Sequence, residues 1–388
     1  MTTSTGGDVP GASASEDFLR LPDLASRALG AGVVFANDEL FAERENLIRP
    51  EPPTYNSYTF GHKGQVYDGW ETRRRREPGF DYAIVRLGAA GIVHGVAVDT
   101  AFFKGNYPPE VSVEGAAVEG YPSPEELQQA KWTPLVERSA VKGDSLNTFP
   151  VGVRQRFTHV RLCIYPDGGV ARLRVHGEVV ADPRLLLDGA VDLAGLENGA
   201  SVRGCSNMFY SSPANLLMPG DAKVMGEGWE TARRRDDGND WVEVALDARG
   251  LPVLVELDTR HFVGNAPGWA SLRGCTARDV APGQDPEWVD LLPRTRLQPD
   301  TRHRFLLNAS GPVDRVRLDV YPDGGMARLR VLGRLSDDGR DDLVLRWFNS
   351  LPESHARAVL AGTPDAERLL GSRPLTAAAA VSSLLWPA

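Results

Sequence analysis

Short apolar runs punctuated by Gly and Pro recur along the first three hundred or so residues of the chain. "YAIVRLG" (Tyr82 to Gly88), "IVHGVAVDT" (Ile92 to Thr100), "VSVEG" (Val111 to Gly115) and "THVRLCIY" (Thr158 to Tyr165) are rich in branched residues. Such runs predict β-strands. In the last of them Val160, Leu162 and Ile164 point one way and Arg161 and Cys163 the other. Helical patterns between these runs are scarce, so a parallel α/β sheet is disfavoured and an antiparallel sandwich or jelly roll is expected. From Asp341 onward the pattern turns Leu- and Ala-rich, and Ser350-Leu351-Pro352-Glu353 reads as a helix start. Two or three short helices packing on the preceding domain are expected there.

The pattern occurs twice. Gly69-Trp70-Glu71-Thr72 recurs as Gly228-Trp229-Glu230-Thr231, and Arg74, Arg75 and Arg76 recur as Arg233, Arg234 and Arg235. "VDTAFFKGNYP" (Val98 to Pro108) aligns with "LDTRHFVGNAP" (Leu257 to Pro267). After a short slip, "VRLCIYPDGGVARLRVHG" from Val160 matches "VRLDVYPDGGMARLRVLG" from Val316. The period, about 160 residues, is that of a whole domain and not of a solenoid repeat. The chain is therefore expected to be all-β, built from tandem duplicated jelly-roll β-sandwich domains at 31–198 and 199–340. A loosely ordered lead-in over 1–30 and a helical tail over 341–388 complete it. Each Tyr-Pro-Asp-Gly-Gly reads as a hairpin turn. If it closes symmetrically, Arg161 faces Arg174, Arg317 faces Arg330 and Asp319 faces Arg328. Facing arginines repel, so an acidic neighbour or a bound anion is expected over each pair.

Composition narrows the function. Over 388 residues the formal net charge is −9, which argues against a general nucleic-acid binder. No apolar run is long enough to span a bilayer and no secretory signal is visible, so neither a membrane nor an export role is expected. Cys163, Cys205 and Cys275 are odd in number and lack CxxC spacing, which fits a reducing cytoplasm better than a disulfide framework or a zinc cluster.

The recurring polar residues are Glu, Arg, Asp, Thr and Asn. An Arg presents a planar fork that suits a carboxylate, so Arg74, Arg75, Arg233 and Arg234 are candidate substrate ligands. The other reading is a structural ion pair bracing the loop. Glu71 and Glu230 can act as acid or base if partial burial raises their pKa. Asp99 and Asp258 end a strand and lead into Phe-x-Gly-Asn. Asn106 and Asn265 either form the turn or offer an amide to a urea-like group. His261 is the only imidazole placed in these Asp-Thr loops and a further acid–base candidate. Its counterpart is Phe102, so no two-histidine metal centre can be built identically in both copies. No metal ligand set is assigned, and dependence on a divalent ion is left open.

On "DGWETRRRR", "VDTAFFKGNYP", "GWETARRR", "LDTRHFVGN" and both "YPDGG" turns, the sequence resembles the allantoicases, the allantoate amidinohydrolases of purine catabolism. The resemblance runs from about Asn37 to Gly333. It implies a pair of domains similar to galactose-binding modules, and hydrolysis of allantoate to ureidoglycolate and urea. The second copy departs at Ala232 for Arg73 and His261 for Phe102. In the tail, "WFNSLPESHARAVL" and "SRPLTAAAAVSSLLW" resemble the opening of the ureidoimidazoline decarboxylase family, without that family's catalytic His region. Small-molecule turnover in a homo-oligomer is the expectation. A non-catalytic jelly-roll binder of carbohydrate or ureide is the alternative.

Overall fold

The computed structural model describes residues 17–56, 58–61, 64–186, 189–281 and 284–385. Contacts divide the chain into two units, the first comprising Met1–Arg27, Ala31–Leu87 and Val93–Glu178, the second Ala28–Gly30, Gly88–Ile92 and Val179–Ala388.

The first unit holds β1 (Gly32–Ala36), β2 (Phe60–Gly61), β3 (Gly64–Gln65), β4 (Trp70–Glu71), β5 (Asp81–Asp99), β6 (Glu110–Ala116), α1 (Pro124–Gln128), β7 (Thr133–Ala140), β8 (Leu146–Pro150), β9 (Arg156–Tyr165), β10 (Gly169–Val170) and β11 (Arg172–Val179). The second repeats the plan with β12 (Val191–Asp192), β13 (Ser201–Cys205), β14 (Trp229–Glu230), β15 (Asp240–Asp258), β16 (Trp269–Cys275), β17 (Val289–Arg296), β18 (Arg302–Leu306), β19 (Val313–Tyr321), β20 (Gly325–Met326) and β21 (Arg328–Leu335). The tail forms α2 (Asp337–Ser350), α3 (Glu353–Val359), α4 (Ala366–Gly371) and α5 (Ala379–Leu385).

Each unit is organised by one strand of 19 residues, β5 or β15. The sequence runs Tyr82–Gly88 and Ile92–Thr100, expected as separate strands, fall in this single element apart from Thr100, which lies just past its end. In the second unit the front half of β15, Asp240 to Gly250, pairs with β13 and β19, and its back half, to Asp258, pairs with β21 and β18. The strand thus joins the two layers of a jelly-roll sandwich. In the first unit β1 pairs with the front of β5, Ala83 to Arg86, and β8 with its back, Gly95 to Asp99. Strands β9 and β11 also pair with β5. Inward positions such as Val85, Leu162, Val244 and Leu318 are fully buried or nearly so, which supplies the apolar interior such a sandwich requires.

This topology corrects the hairpin expectation. The two strands flanking each Tyr-Pro-Asp-Gly-Gly do not pair with each other; both pair with the long strand. The expected arginine pairs therefore do not form. Arg161 lies opposite Glu114 in register and bonds to it at 2.6 Å. Arg174 meets Asp23 at 3.3 Å. Arg317 meets Glu243 and Asp319, and Arg330 meets Asp192. Asp319 bonds to Arg273 and not to Arg328. Arg161, Arg174, Arg317 and Arg330 each have an acid within their own unit, so none calls for a ligand.

The lead-in differs from expectation, whereas the tail is helical as expected, with four helices among the described residues, the first starting at Asp337. The lead-in expected over 1–30 lies outside the described residues as far as position 16. From Asp17 the chain is packed. Phe18, Leu24, Ala25 and Leu29 are buried, and Leu24 donates to the Val175 carbonyl at 2.7 Å. The tail helices carry their own apolar cluster, with Val344, Trp347, Phe348, Leu360, Leu369 and Val381 closing on Val180 and Ile92. Pro352 stands immediately before α3, where a residue with no N–H to offer costs nothing.

Candidate active site

Three motifs distant in sequence meet at one corner of each unit. Trp70 and Trp229 anchor it. Both are fully buried, and their indole N–H groups donate to the Asp38 and Asn207 carbonyls at 2.8 and 2.9 Å. In the two-residue ladders next to them, Glu71 pairs with Gly169 and Glu230 with Gly325. The Thr that follows each Glu accepts from the first glycine of the turn, Gly168 to Thr72 at 3.2 Å and Gly324 to Thr231 at 3.1 Å.

The second glycine of the turn holds the loop that carries the asparagine. Gly169 N–H donates to the Asn106 carbonyl at 2.7 Å, and Gly325 to that of Asn265 at 2.8 Å. A Cβ at Gly169 would lie 2.1 Å from the Phe103 ring, and one at Gly325 would lie 2.0 Å from the Phe262 ring. Only glycine permits this approach. The turn motif therefore serves as a packing seat for the Asn loop.

The outcome is the same contact twice. The Asn106 amide donates to Glu71 Oε1 at 2.7 Å, and the Asn265 amide to Glu230 Oε1 at 2.6 Å. Burial pushes the Glu71 carboxyl above the usual carboxylate range, while the Asn106 hydrogen bond pulls it the other way. The walls differ between units. Near Glu71 lies the Tyr67 phenol, raised by burial and by the proximity of Tyr55 and Glu71. Tyr67 lies against Phe103 with centroids 5.3 Å apart, and Tyr55 stacks on Phe102 at 5.6 Å. In the second unit the Asn265 amide instead approaches Met225 Sδ at 3.3 Å.

The arginine run divides into two roles. The Arg75 backbone donates to Asp167 and its guanidinium grips Asp81 at 2.5 Å. Arg234 does the same with Asp323, and with Asp240 at 2.8 Å. Asp81 and Asp240 are almost completely buried. Arg75 and Arg234, candidates for substrate binding, are thus braces of the loop. Arg74 and Arg233 are exposed and have no partner among the described residues. Arg74 lines an open cleft of about 390 Å³ with Asn37, Asp38, Arg73, Arg76 and Glu77.

The contrast is measurable. Arg75→Ala leaves the Asp81 carboxylate buried without its cation, and is expected to lower stability by about 2–4 kcal/mol. Arg74→Ala is expected to leave the melting temperature within a degree or two and to act on substrate KM. Thermal unfolding alongside steady-state kinetics reads both outcomes.

Other predicted site residues are held elsewhere. Asp99 Oδ1 accepts from its own turn at Ala101 N–H, 2.8 Å away. Asp258 is buried and closed by Arg260, whose guanidinium spans from it to Asp221. His261 has φ 72° and places Nε2 2.8 Å from the Ala222 carbonyl, which fixes the loop. Phe102 occupies the same left-handed position with φ 68°. The backbone geometry therefore needs no imidazole. Among the described residues, no group of three or more His, Cys, Asp or Glu is placed to hold a metal ion.

Sequence reading missed the two residues that support the corner from below. Arg172 is almost fully buried and donates to the Glu51, Asp68 and Ala171 carbonyls and to the Asp68 carboxylate. Arg328 likewise donates to Asn215, Gly220, Glu227 and Ala327. The signal was present in the matched "ARLR" segments, where the first Arg recurs beside buried Leu.

The allantoicase repeat family matches residues 22–180 and again 191–336. The chain belongs to the allantoicase family. A probable allantoicase of Nocardia farcinica is 57% identical over 325 residues, covering 83% of this chain and 97% of that protein. A probable allantoicase of Schizosaccharomyces pombe is 44% identical over 80% of this chain and 92% of its own. The crystal structure of the Saccharomyces cerevisiae allantoicase superposes with a TM-score of 0.71 at 34% identity, over 83% of this chain and 98% of that one. Each allantoicase repeat of the present chain contributes one Glu–Asn corner.

Proposed function

We propose that the chain hydrolyses allantoate to ureidoglycolate and urea, and that the Glu71–Asn106 and Glu230–Asn265 corners carry the acid–base chemistry. The observation that supports this reading is the Glu–Asn contact, built in both repeats, at 2.7 and 2.6 Å, from motifs far apart in sequence. A carboxylate oriented by one amide keeps its second oxygen for a substrate or water.

Allantoate has one carbon bearing a carboxylate and two ureido groups. Its hydrolysis needs a proton delivered to the departing urea nitrogen and one removed from the incoming water. A protonated Glu gives its proton to that nitrogen as the C–N bond breaks. The resulting carboxylate then takes a proton from water as the water adds to the iminium-like carbon, which restores the starting state. Asn106 and Asn265 orient the glutamates and approach the ureido groups. Arg74 and Arg233 are the clamps for the substrate carboxylate. They lie three positions beyond the glutamates, a span of at most ~10 Å along the chain, within reach of both ends of a small diureido acid once the side chain extends. Orientation and acid–base assistance each contribute orders of magnitude.

The direct test is urea release from allantoate, with and without added divalent metal. Absence of urea under both conditions overturns the activity. We also place the protein in the cytoplasm, a reading supported by three free cysteines, and as a homo-oligomer, supported by exposed apolar side chains such as Tyr58 and Phe60. No described helix is long and apolar enough to cross a membrane.

A further inference from the structure

A second polar cleft, of about 180 Å³, lies in the second unit where the tail helix α2 meets the front layer of the sandwich. Arg203 of β13, Arg278, Arg315 of β19 and Arg346 of α2 line it, with Asp314 the one carboxylate among the lining residues. That carboxylate is already engaged. It accepts from the backbone N–H groups of Ala277 and Arg278 at 2.8 and 3.2 Å and from Arg249 at 3.5 Å.

The cations are short of acceptors. Arg203 is exposed and has no partner among the described residues. The nearest carboxylate oxygen to Arg315 is that of Glu243 at 4.0 Å, and Glu243 bonds more closely to Arg317, at 3.3 Å. Nε of Arg315 and Nε of Arg346 are both buried without an acceptor. Arg278 reaches Asp342 at 3.2 Å and the Asp247 carbonyl, and Arg346 is paired with buried Asp247.

The first repeat serves as an internal control. By strand register Val34 stands where Arg203 does and, in the aligned "HVRL" and "RVRL" segments, His159 where Arg315 does. Arg346 comes from the tail, which has no copy in the first repeat. The sandwich therefore forms without counterparts of Arg203, Arg315 and Arg346. Bringing arginines together where the fold does not require them has an electrostatic cost, which a bound anion removes. Guanidinium groups match the oxygens of phosphate and carboxylate in paired geometry.

We propose that this cleft binds a small, multiply charged oxyanion, a phosphate or a dicarboxylate in its chemistry, and that the bound anion ties the tail helix to the second repeat. The volume admits one such ion with a few waters, each of about 30 Å³. The site is separate from both Glu–Asn corners, and the proposal does not depend on the assigned reaction.

The test uses the full-length protein, inorganic phosphate and oxalate as separate probes, and chloride at matched ionic strength as control. Calorimetric titration and thermal unfolding are expected to show saturable binding and a rise in melting temperature for at least one probe. Arg203→Ala and Arg315→Gln are expected to weaken that binding tenfold or more while leaving urea release from allantoate without the anion unchanged. Binding of phosphate alone assigns a phosphoryl ligand, of oxalate alone a carboxylate, and of both a site for either. Failure of both probes to bind saturably overturns the proposal. So does binding that is the same in both variants, as it would be if oxalate occupied a catalytic corner. Arg203 is exposed, so its Ala variant is expected to fold and keeps the test decisive.

Discussion

Glu71→Gln is expected to lower urea release by the first repeat's corner by two to four orders of magnitude, the range for loss of a positioned acid–base group. Glu230→Gln is expected to do the same in the second. Gln keeps the shape and can still accept from the Asn amide, so the loss reports the missing proton transfer. The two single variants and the double variant, assayed for kcat and KM, divide the turnover between repeats. If neither single variant nor the double variant changes kcat, the glutamates are not in the mechanism. Stability is expected to move the other way in the first unit. Burial raises the Glu71 carboxyl, so the folded state prefers the protonated form. That contribution is fully present below the ordinary carboxylate pKa and is lost as pH rises through the raised value. Near neutrality Glu71 is therefore a mild liability to folding, and Glu71→Gln is expected to melt no lower than the parent at pH 7. A clear fall in melting temperature would mean that the carboxylate charge is structural.

The second large effect concerns Arg172. Its side chain is almost fully buried and satisfies three carbonyls and one carboxylate. Arg172→Ala removes every one of those donors and leaves Asp68 partly buried beside an unfilled hollow. A loss of about 3–5 kcal/mol is expected, as for breaking a buried pair from one side. In a unit of this size that corresponds to a fall of roughly 10 °C in melting temperature. The segment from Glu51 to Asp68 leads directly into Trp70 and Glu71, so residual folded protein is also expected to lose activity. Arg328→Ala tests the same arrangement in the second unit. A variant with unchanged melting would show that the carbonyl cage closes without its guanidinium.

Much of this architecture was legible in the residues. Alternating apolar runs and the doubled motifs point to two β sandwiches, and Glu71 with Asn106 could be named because both recur in order. Pairing was not legible. Tyr-Pro-Asp-Gly-Gly carries every mark of a hairpin, yet its glycines are selected by contact with Phe103 and the Asn loop, partners more than sixty residues away. The arginine run shows the same limit. Composition cannot tell Arg74 from Arg75; a buried Asp81 six residues on decides which of them is committed. Asp258 and His261 have the right chemistry for catalysis, but Arg260, whose counterpart in the first copy is Ala101, and the Ala222 carbonyl draw them into local structure.

The 19-residue strand has a consequence for how each sandwich comes apart. Because one continuous backbone is woven through both layers, neither layer can peel away and leave the other intact. Amide protons on the front and back of β15 are therefore expected to exchange through a common opening event.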